Sequence, residues 1–415
     1  TRASGGTALR KVGYGTELAD PSATYSLPAQ YSGISSAPAI GQTYRISITR
    51  TTSGGGFTLS LGGSSSGWIT FTGTRIFYLT TTNTNTLYIR GDGNTSGNVI
   101  NVTVKQIVYD VATDPLVLYN HPNDTPRIEY NADGTVKGLL IEEARTNLVT
   151  YSIPTVAAWA TSGPTITENA AVSPDGSTNA TRATGSGSNS TQYIAENALQ
   201  TTGIVHTCSV YFKTETAAFL QFVTSKPANS YVNVNASTLV LGTVGAGASN
   251  AIVTDVGNGW ARLSFSYTPD NSNNVVTAGI ITSATASRLE SNPLSTSALF
   301  YGYQSEAGAF PTSYIPTSGS TATRAVDVAT IPTSDFGYNS DAGSVYVDGT
   351  FLNGDTIVTL GSTTITADAD GNKKYTATYS STPSATEIAL NQGTYSDFKY
   401  YPRRLSNAQL QELTT

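Results

Sequence analysis

Apolar and polar residues alternate with a period of two along most of this chain, in short runs broken by Gly, Asn, Ser and Pro. In residues 44–48, Tyr44, Ile46 and Ile48 fall on one face and Arg45 and Ser47 on the other, the pattern of a half-buried strand. Similar runs at 57–61, 68–71, 76–79, 86–89 and 99–107 predict a first β-sandwich, with turn chemistry at 53–56 and 91–94. A second set predicts a larger sandwich of jelly-roll size: 207–213, 219–224, 231–235, 251–255, 261–267, 275–281 and 298–304. A third set, at 343–351, 356–360, 374–379 and 395–400, predicts a shorter module. Helical signals concentrate at the end, where Ser406 and Gln409 have capping-box spacing and Leu405, Leu410 and Leu413 would form an apolar stripe.

The fold class is therefore all-β: tandem β-sandwich or jelly-roll domains with one short C-terminal helix. The expected division is an N-terminal segment, 1–22; a sandwich, 23–110; a connector, 111–152; a jelly roll, 153–320; and a short β domain, 321–415. The connector contains Pro115, Pro122 and Pro126, which exclude regular helix and central strand. It also contains a hairpin signal: 128–130, a turn at 131–134, then 138–141.

Composition narrows the function classes. Charged residues are 12% of the chain, with Thr, Ser, Gly and Asn in their place, as in extracellular β-rich proteins. The net charge is -6 and basic residues are scattered, so no nucleic-acid footprint is present. No run is apolar and long enough to span a membrane, and residues 1–4 do not read as a signal peptide. One cysteine, Cys208, excludes an intrachain disulfide and fits assembly in a reducing cytoplasm. The chain has no Met, so either an initiator was removed or these residues belong to a longer polypeptide.

Residues 138–148, GLLIEEARTNL, closely resemble the "GLLIEEARTNLL" signature of phage and prophage tail-fibre proteins. The match continues through Tyr151-Ser152, Trp159, 173–177 and 180–182, then 206–213, the GWARLS run at 259–264 and the QSEAGAFPTSYIPT run at 304–317. In that family the signature leads into a carbohydrate-binding-module-like jelly roll. TRAVD at 323–327 resembles the opening of a concanavalin-A-like sandwich, and YPRRLS at 401–406 its end. A complete sandwich of that kind is far longer than 321–415, so the resemblance implies a trimmed module. Residues 1–4 resemble the start of a collar, or attachment segment, that precedes PRIEY, here at 126–130. The resemblance implies a virion protein assembled in the bacterial cytoplasm, with other virion proteins and host cell-surface polysaccharide as partners and a homotrimer as its assembly.

Sugars stack on aromatic faces while polar side chains bond their hydroxyls. Most of the 24 Tyr, 12 Phe and 3 Trp are expected in cores or subunit interfaces. Trp68 follows the flexible run 63–67 and is the first candidate for glycan contact; Tyr88 and Trp159 are the others. For both Trp159 and Trp260 a packing role is the favoured expectation, for Trp159 because it lies at a position shared with the resembling family. Cys208 alternates with Val210 and Phe212 and reads as a buried small hydrophobe. His121 and His206 are too few and too far apart to suggest zinc. The run 368–372 resembles part of a calcium loop but lacks its distal Glu, so a hairpin turn is expected. No cofactor is expected; a structural calcium is compatible with such jelly rolls, but no ligand cluster identifies one.

Glu142 and Glu143 are adjacent, face opposite sides if on a strand, and do not make an acid–base pair; an ion pair with Arg145 or a hydrogen bond within the collar is expected. No nucleophile elbow, phosphate loop or dinucleotide fingerprint is present. The chain is therefore expected not to be an enzyme. The leading reading is a receptor-binding or adhesive fibre that gains avidity from repeated weak sites. The alternative is a purely structural head-fibre, collar or baseplate protein. A glycan depolymerase ranks third, because no β-helix repeat is visible.

Overall fold

The computed structural model describes residues 6–17, 24–26, 30–32, 37–51, 55–69, 73–91, 98–109, 115–121, 125–381 and 385–414. The N-terminal motif at 1–4 and the turn residues 92–94 lie outside the described residues. The described chain is built from antiparallel sheets with one short α-helix, Asn407–Thr414. It divides into two units, one of residues 11–115 and one of residues 1–10 with 116–415.

In the unit of residues 11–115, Thr43–Arg50 lies between Asn98–Tyr109 and Gly73–Thr80, and Asn98–Tyr109 also pairs with Thr24–Ser26. A second sheet runs in the order Gln30–Ser32, Tyr88–Gly91, Phe57–Leu61, Ser64–Ile69. The inward positions of both sheets form one core, with Ile46, Ile48 and Val104 from the first and Phe57, Leu59 and Ile89 from the second. The period-two pattern thus becomes a sandwich, because each sheet can bury only one face.

The other unit contains a jelly roll of two six-stranded sheets. One sheet runs Ala160–Ser162, Tyr193–Leu199, Asn273–Ile281, Phe219–Thr224, Tyr231–Asn235, Val240–Val244. The other has Ser297–Ala307 and His206–Thr214 at its centre, beside Trp260–Tyr267. Phe212, Phe222, Leu263, Val276 and Phe300 fill the space between them. Cys208 is buried in the same core, as its alternation predicts.

The C-terminal module is also a two-sheet sandwich, with Val347, Phe351, Ile357, Leu360 and Ile388 in its core. Its larger sheet is completed from the residues read as a connector. The hairpin Arg127–Tyr130 and Val136–Ile141 forms as the turn chemistry predicts, and Val136–Ile141 then pairs with Gly393–Tyr401. Residues 321–415 therefore do not form their sheets alone. Gly138 sits at this junction with φ +148°, where a Cβ would lie 2.3 Å from the Tyr395 carbonyl oxygen. The glycine of the signature is needed both for its backbone conformation and for this close approach.

A buried ionic network centres on Glu142 of the signature and draws its other members from outside it. The Glu142 carboxylate accepts from Arg127 Nη1 at 2.7 Å, from Ser313 N at 2.8 Å and Ser313 Oγ at 2.6 Å, and from Arg324. Arg127 also pairs with Asp327, whose Oδ2 accepts from Glu142 N at 2.9 Å. Glu143 pairs with Arg145, the ion pair expected of that motif. Glu142 and Glu143 lie just after the strand rather than on it. At the C-terminus, Ser406 N donates to Gln409 Oε1 at 3.0 Å and Gln409 N to Ser406 Oγ at 3.4 Å, closing the capping box. Leu405 is buried and Leu410 and Leu413 are half-buried.

Candidate glycan-binding face

Trp68 lies on Ser64–Ile69, the edge strand of the four-stranded sheet, and is 59% exposed. A single exposed ring is ordinary on a protein surface, so the setting of Trp68 decides its meaning. Its neighbours are fixed by register. Thr58 stands opposite Trp68 on one side and opposite Arg90 on the other. Trp68, Thr58 and Arg90 therefore form a row across three strands on the outward face. Ser60, two residues from Thr58, stands opposite Tyr88. Because successive side chains alternate, Tyr88 and Arg90 share this face while Ile89 enters the core. From strand spacing and rise, the backbone positions of Trp68 and Tyr88 lie about 12 Å apart. That span suits a short oligosaccharide better than one ring.

Hydroxyls line the floor. Thr58 Oγ1 and Ser65 Oγ are 3.0 Å apart, and Ser66 Oγ accepts from Leu59 N at 3.2 Å. Tyr88 is half-buried and also borders a shallow groove of about 420 Å³, with Ser60, Gly62, Gly63 and Asn85. Aromatic surface beside short hydroxyl and amide side chains is the chemistry that receives the apolar and polar sides of a sugar.

The third candidate, Trp159, is corrected by its position. It is 3% exposed, its ring centroid is 4.4 Å from that of Tyr303, and its Nε1 donates to the Tyr151 carbonyl at 2.9 Å. Both polar and apolar needs of the ring are met inside the jelly roll, so no face is open to a sugar. Trp260 packs as expected, buried with its Nε1 donating to the Val172 carbonyl at 3.2 Å. His121 and His206 are both buried. The 368–372 run is not the expected hairpin turn: its flanking strands, Thr363–Thr366 and Gly371–Tyr379, pair in different sheets, and the run crosses between them, with Asp370 Oδ1 accepting from Asn353 N at 2.8 Å and Asp368 Oδ1 from Tyr375 Oη at 3.0 Å. Among the described residues, no group of three or more His, Cys, Asp or Glu side chains is placed to hold a metal.

The jelly roll carries a second surface feature that the sequence did not single out. The segment 282–292 crosses the outward face of one sheet. It is pinned by two fully buried amides, with Gln221 Oε1 accepting from Leu289 N at 2.6 Å and Asn233 Nδ2 donating to the Ala286 carbonyl at 2.9 Å. Beside it lies an open groove of about 340 Å³, bordered by Tyr193, Glu196, Asn197, Thr277 and Arg288. Burial raises the pKa of Glu196, and the hydrogen bond from Thr150 Oγ1 at 2.8 Å opposes that rise. The carboxyl is thus engaged by Thr150.

No protein-family model and no curated protein matches this chain. Among solved structures, the N-terminal CBM22-1-CBM22-2 tandem domain of Xyn10C from Paenibacillus barcinonensis is similar over 73% of this chain and 100% of its own, at 8% identity and a TM-score of 0.26.

Proposed function

We propose that this chain is a non-catalytic, glycan-binding component of a phage fibre or spike, which holds host cell-surface polysaccharide on the outward face bearing Trp68 and Tyr88. The observation that carries the reading is the exposed Trp68 ring, in register with Thr58 and Arg90 and on one face with Tyr88. The GLLIEEARTNL signature at 138–148 supports the virion setting. So does a surface rich in Thr, Ser and Asn rather than in charge. A homotrimer would repeat the face three times about one axis, so that weak sites add through avidity.

The test is retention of the purified protein on bacterial cells and on a panel of their isolated surface polysaccharides, with Trp68→Ala alongside. Saturable retention that free polysaccharide competes away, and that Trp68→Ala abolishes, is the expected result. No retention of a properly assembled protein would instead assign it a purely structural place in the particle.

A further inference from the structure

We infer that the Trp68 face takes an acidic sugar, a uronic or sialic acid residue whose carboxylate is received by Arg90. The inference rests on the glycan-binding reading of that face and adds the class of its ligand. Residues 11–115 contain six basic side chains: Lys11, Arg45, Arg50, Arg75, Arg90 and Lys105. Arg50 donates to the Gly55 carbonyl at 3.2 Å and lies over the Phe57 ring. Lys11, Arg45, Arg75 and Lys105 also have partners. The Arg90 side chain is exposed and, among the described residues, makes no hydrogen bond or ion pair.

Its position gives that charge a use. Arg90 and Trp68 flank Thr58 in one row, and Tyr88 follows Arg90 on the same face. A guanidinium is planar, always charged, and presents N–H donors in a fork that matches both oxygens of a carboxylate. A carboxylated pyranose has an apolar ring face for an aromatic side chain and an anionic group at its rim. One sugar of this kind, or two adjacent ones, could engage Arg90 and an aromatic ring together. Among the described residues, no ion pair of Arg90 has to be broken first. The chain as a whole is acidic, with a net charge of -6, so simple attraction of polyanions does not supply this preference.

The full chain is tested against immobilised polygalacturonate, alginate, hyaluronate and polysialate. Each is used as isolated and after carboxyl reduction, beside dextran, mannan and dextran sulfate. The variants are Trp68→Ala, Arg90→Gln and Arg90→Lys. At least one acidic polysaccharide is expected to bind, with affinity falling roughly tenfold or more on carboxyl reduction and in Arg90→Gln, as loss of a charge-assisted hydrogen-bond pair implies. Arg90→Lys should recover part of the loss. Equal binding of native and reduced forms, an Arg90→Gln variant equal to wild type, dextran sulfate bound as tightly as the carboxylates, or no acidic polysaccharide bound would each overturn the inference. The underlying reading has a separate readout. If neutral or reduced polysaccharides bind and Trp68→Ala abolishes that binding, the face stands and only its acidic preference falls. If Trp68→Ala binds like wild type, or nothing binds, the face itself is lost.

Discussion

Glu142 and Arg324 stand 182 residues apart in the sequence and meet as a buried ion pair. The same carboxylate oxygen accepts from Arg127 at 2.7 Å, and its partner oxygen accepts from Ser313 N at 2.8 Å. The carboxylate thus ties the 127–141 hairpin, the end of the jelly roll and the start of the C-terminal module together. Removing one member of such a buried network leaves charges without partners, which costs about 3–5 kcal/mol. Glu142→Ala should lower thermal stability by that order, read by calorimetry.

The same network sets a pH dependence. Burial alone would raise the Glu142 pKa; Arg324 and Arg127 more than reverse this and hold it at about 2, below the ordinary 4.5. A depressed folded-state pKa contributes stability that is fully present above about 4.5 and is lost as the pH falls towards 2. The contribution is on the order of 3 kcal/mol. Unfolding free energy measured from pH 6 to pH 2 should fall across that window, and the fall should be shallower in Glu142→Ala.

Gly138→Ala should weaken the join between the 127–141 hairpin and the C-terminal sheet. The added Cβ would meet the Tyr395 carbonyl at 2.3 Å, on a backbone with φ +148°. Strain of this kind costs on the order of 1–3 kcal/mol. Amide exchange should quicken first in Val136–Ile141 and in the facing start of Gly393–Tyr401, whose pairing depends on that approach. Unchanged exchange in both strands would contradict the account.

The Cys208 thiol should be inert in the native protein. Burial pushes its pKa up to about 12, with Arg262 opposing and Glu306 adding to the rise. The thiolate needed for reaction is therefore scarce at neutral pH. A disulfide-exchange reagent should titrate no thiol in the native state and one in denaturant.

The tryptophans should separate by role. Trp159→Ala empties a core position and should cost about 3–5 kcal/mol. Trp68→Ala removes an exposed ring and should change stability by no more than about 0.5 kcal/mol. Chemical denaturation of the two variants checks both.

Local rules made much of this molecule legible. The alternation at 44–48, the turn at 131–134 and the capping spacing of Ser406 and Gln409 each depend on neighbours within a few residues, and each forms as expected. What escaped depends on distant pairing. Nothing near 136–141 reveals that its sheet partner is Gly393–Tyr401, because register is set by a face and not by adjacent residues. Trp159 sits among loop residues, and its packing role is expected from its family position alone; the Tyr303 ring and the Tyr151 carbonyl that meet it come from the folded jelly roll and are not visible in sequence. In sequence, Arg90 is an outward arginine on a strand and looks like ordinary solvated charge. Its significance comes from Thr58, which brings it into a row with Trp68.

Trp68 also supplies the most direct test of the central claim, since it is exposed while Trp159 and Trp260 are buried. Acrylamide quenching of the intrinsic fluorescence therefore reads Trp68 selectively. The measurement is quenching of the wild-type protein with and without saturating amounts of a polysaccharide it retains. The account predicts that bound polysaccharide shields the ring and lowers quenching to the level of Trp68→Ala. Retained polysaccharide with quenching unchanged would contradict it and place binding elsewhere on the protein.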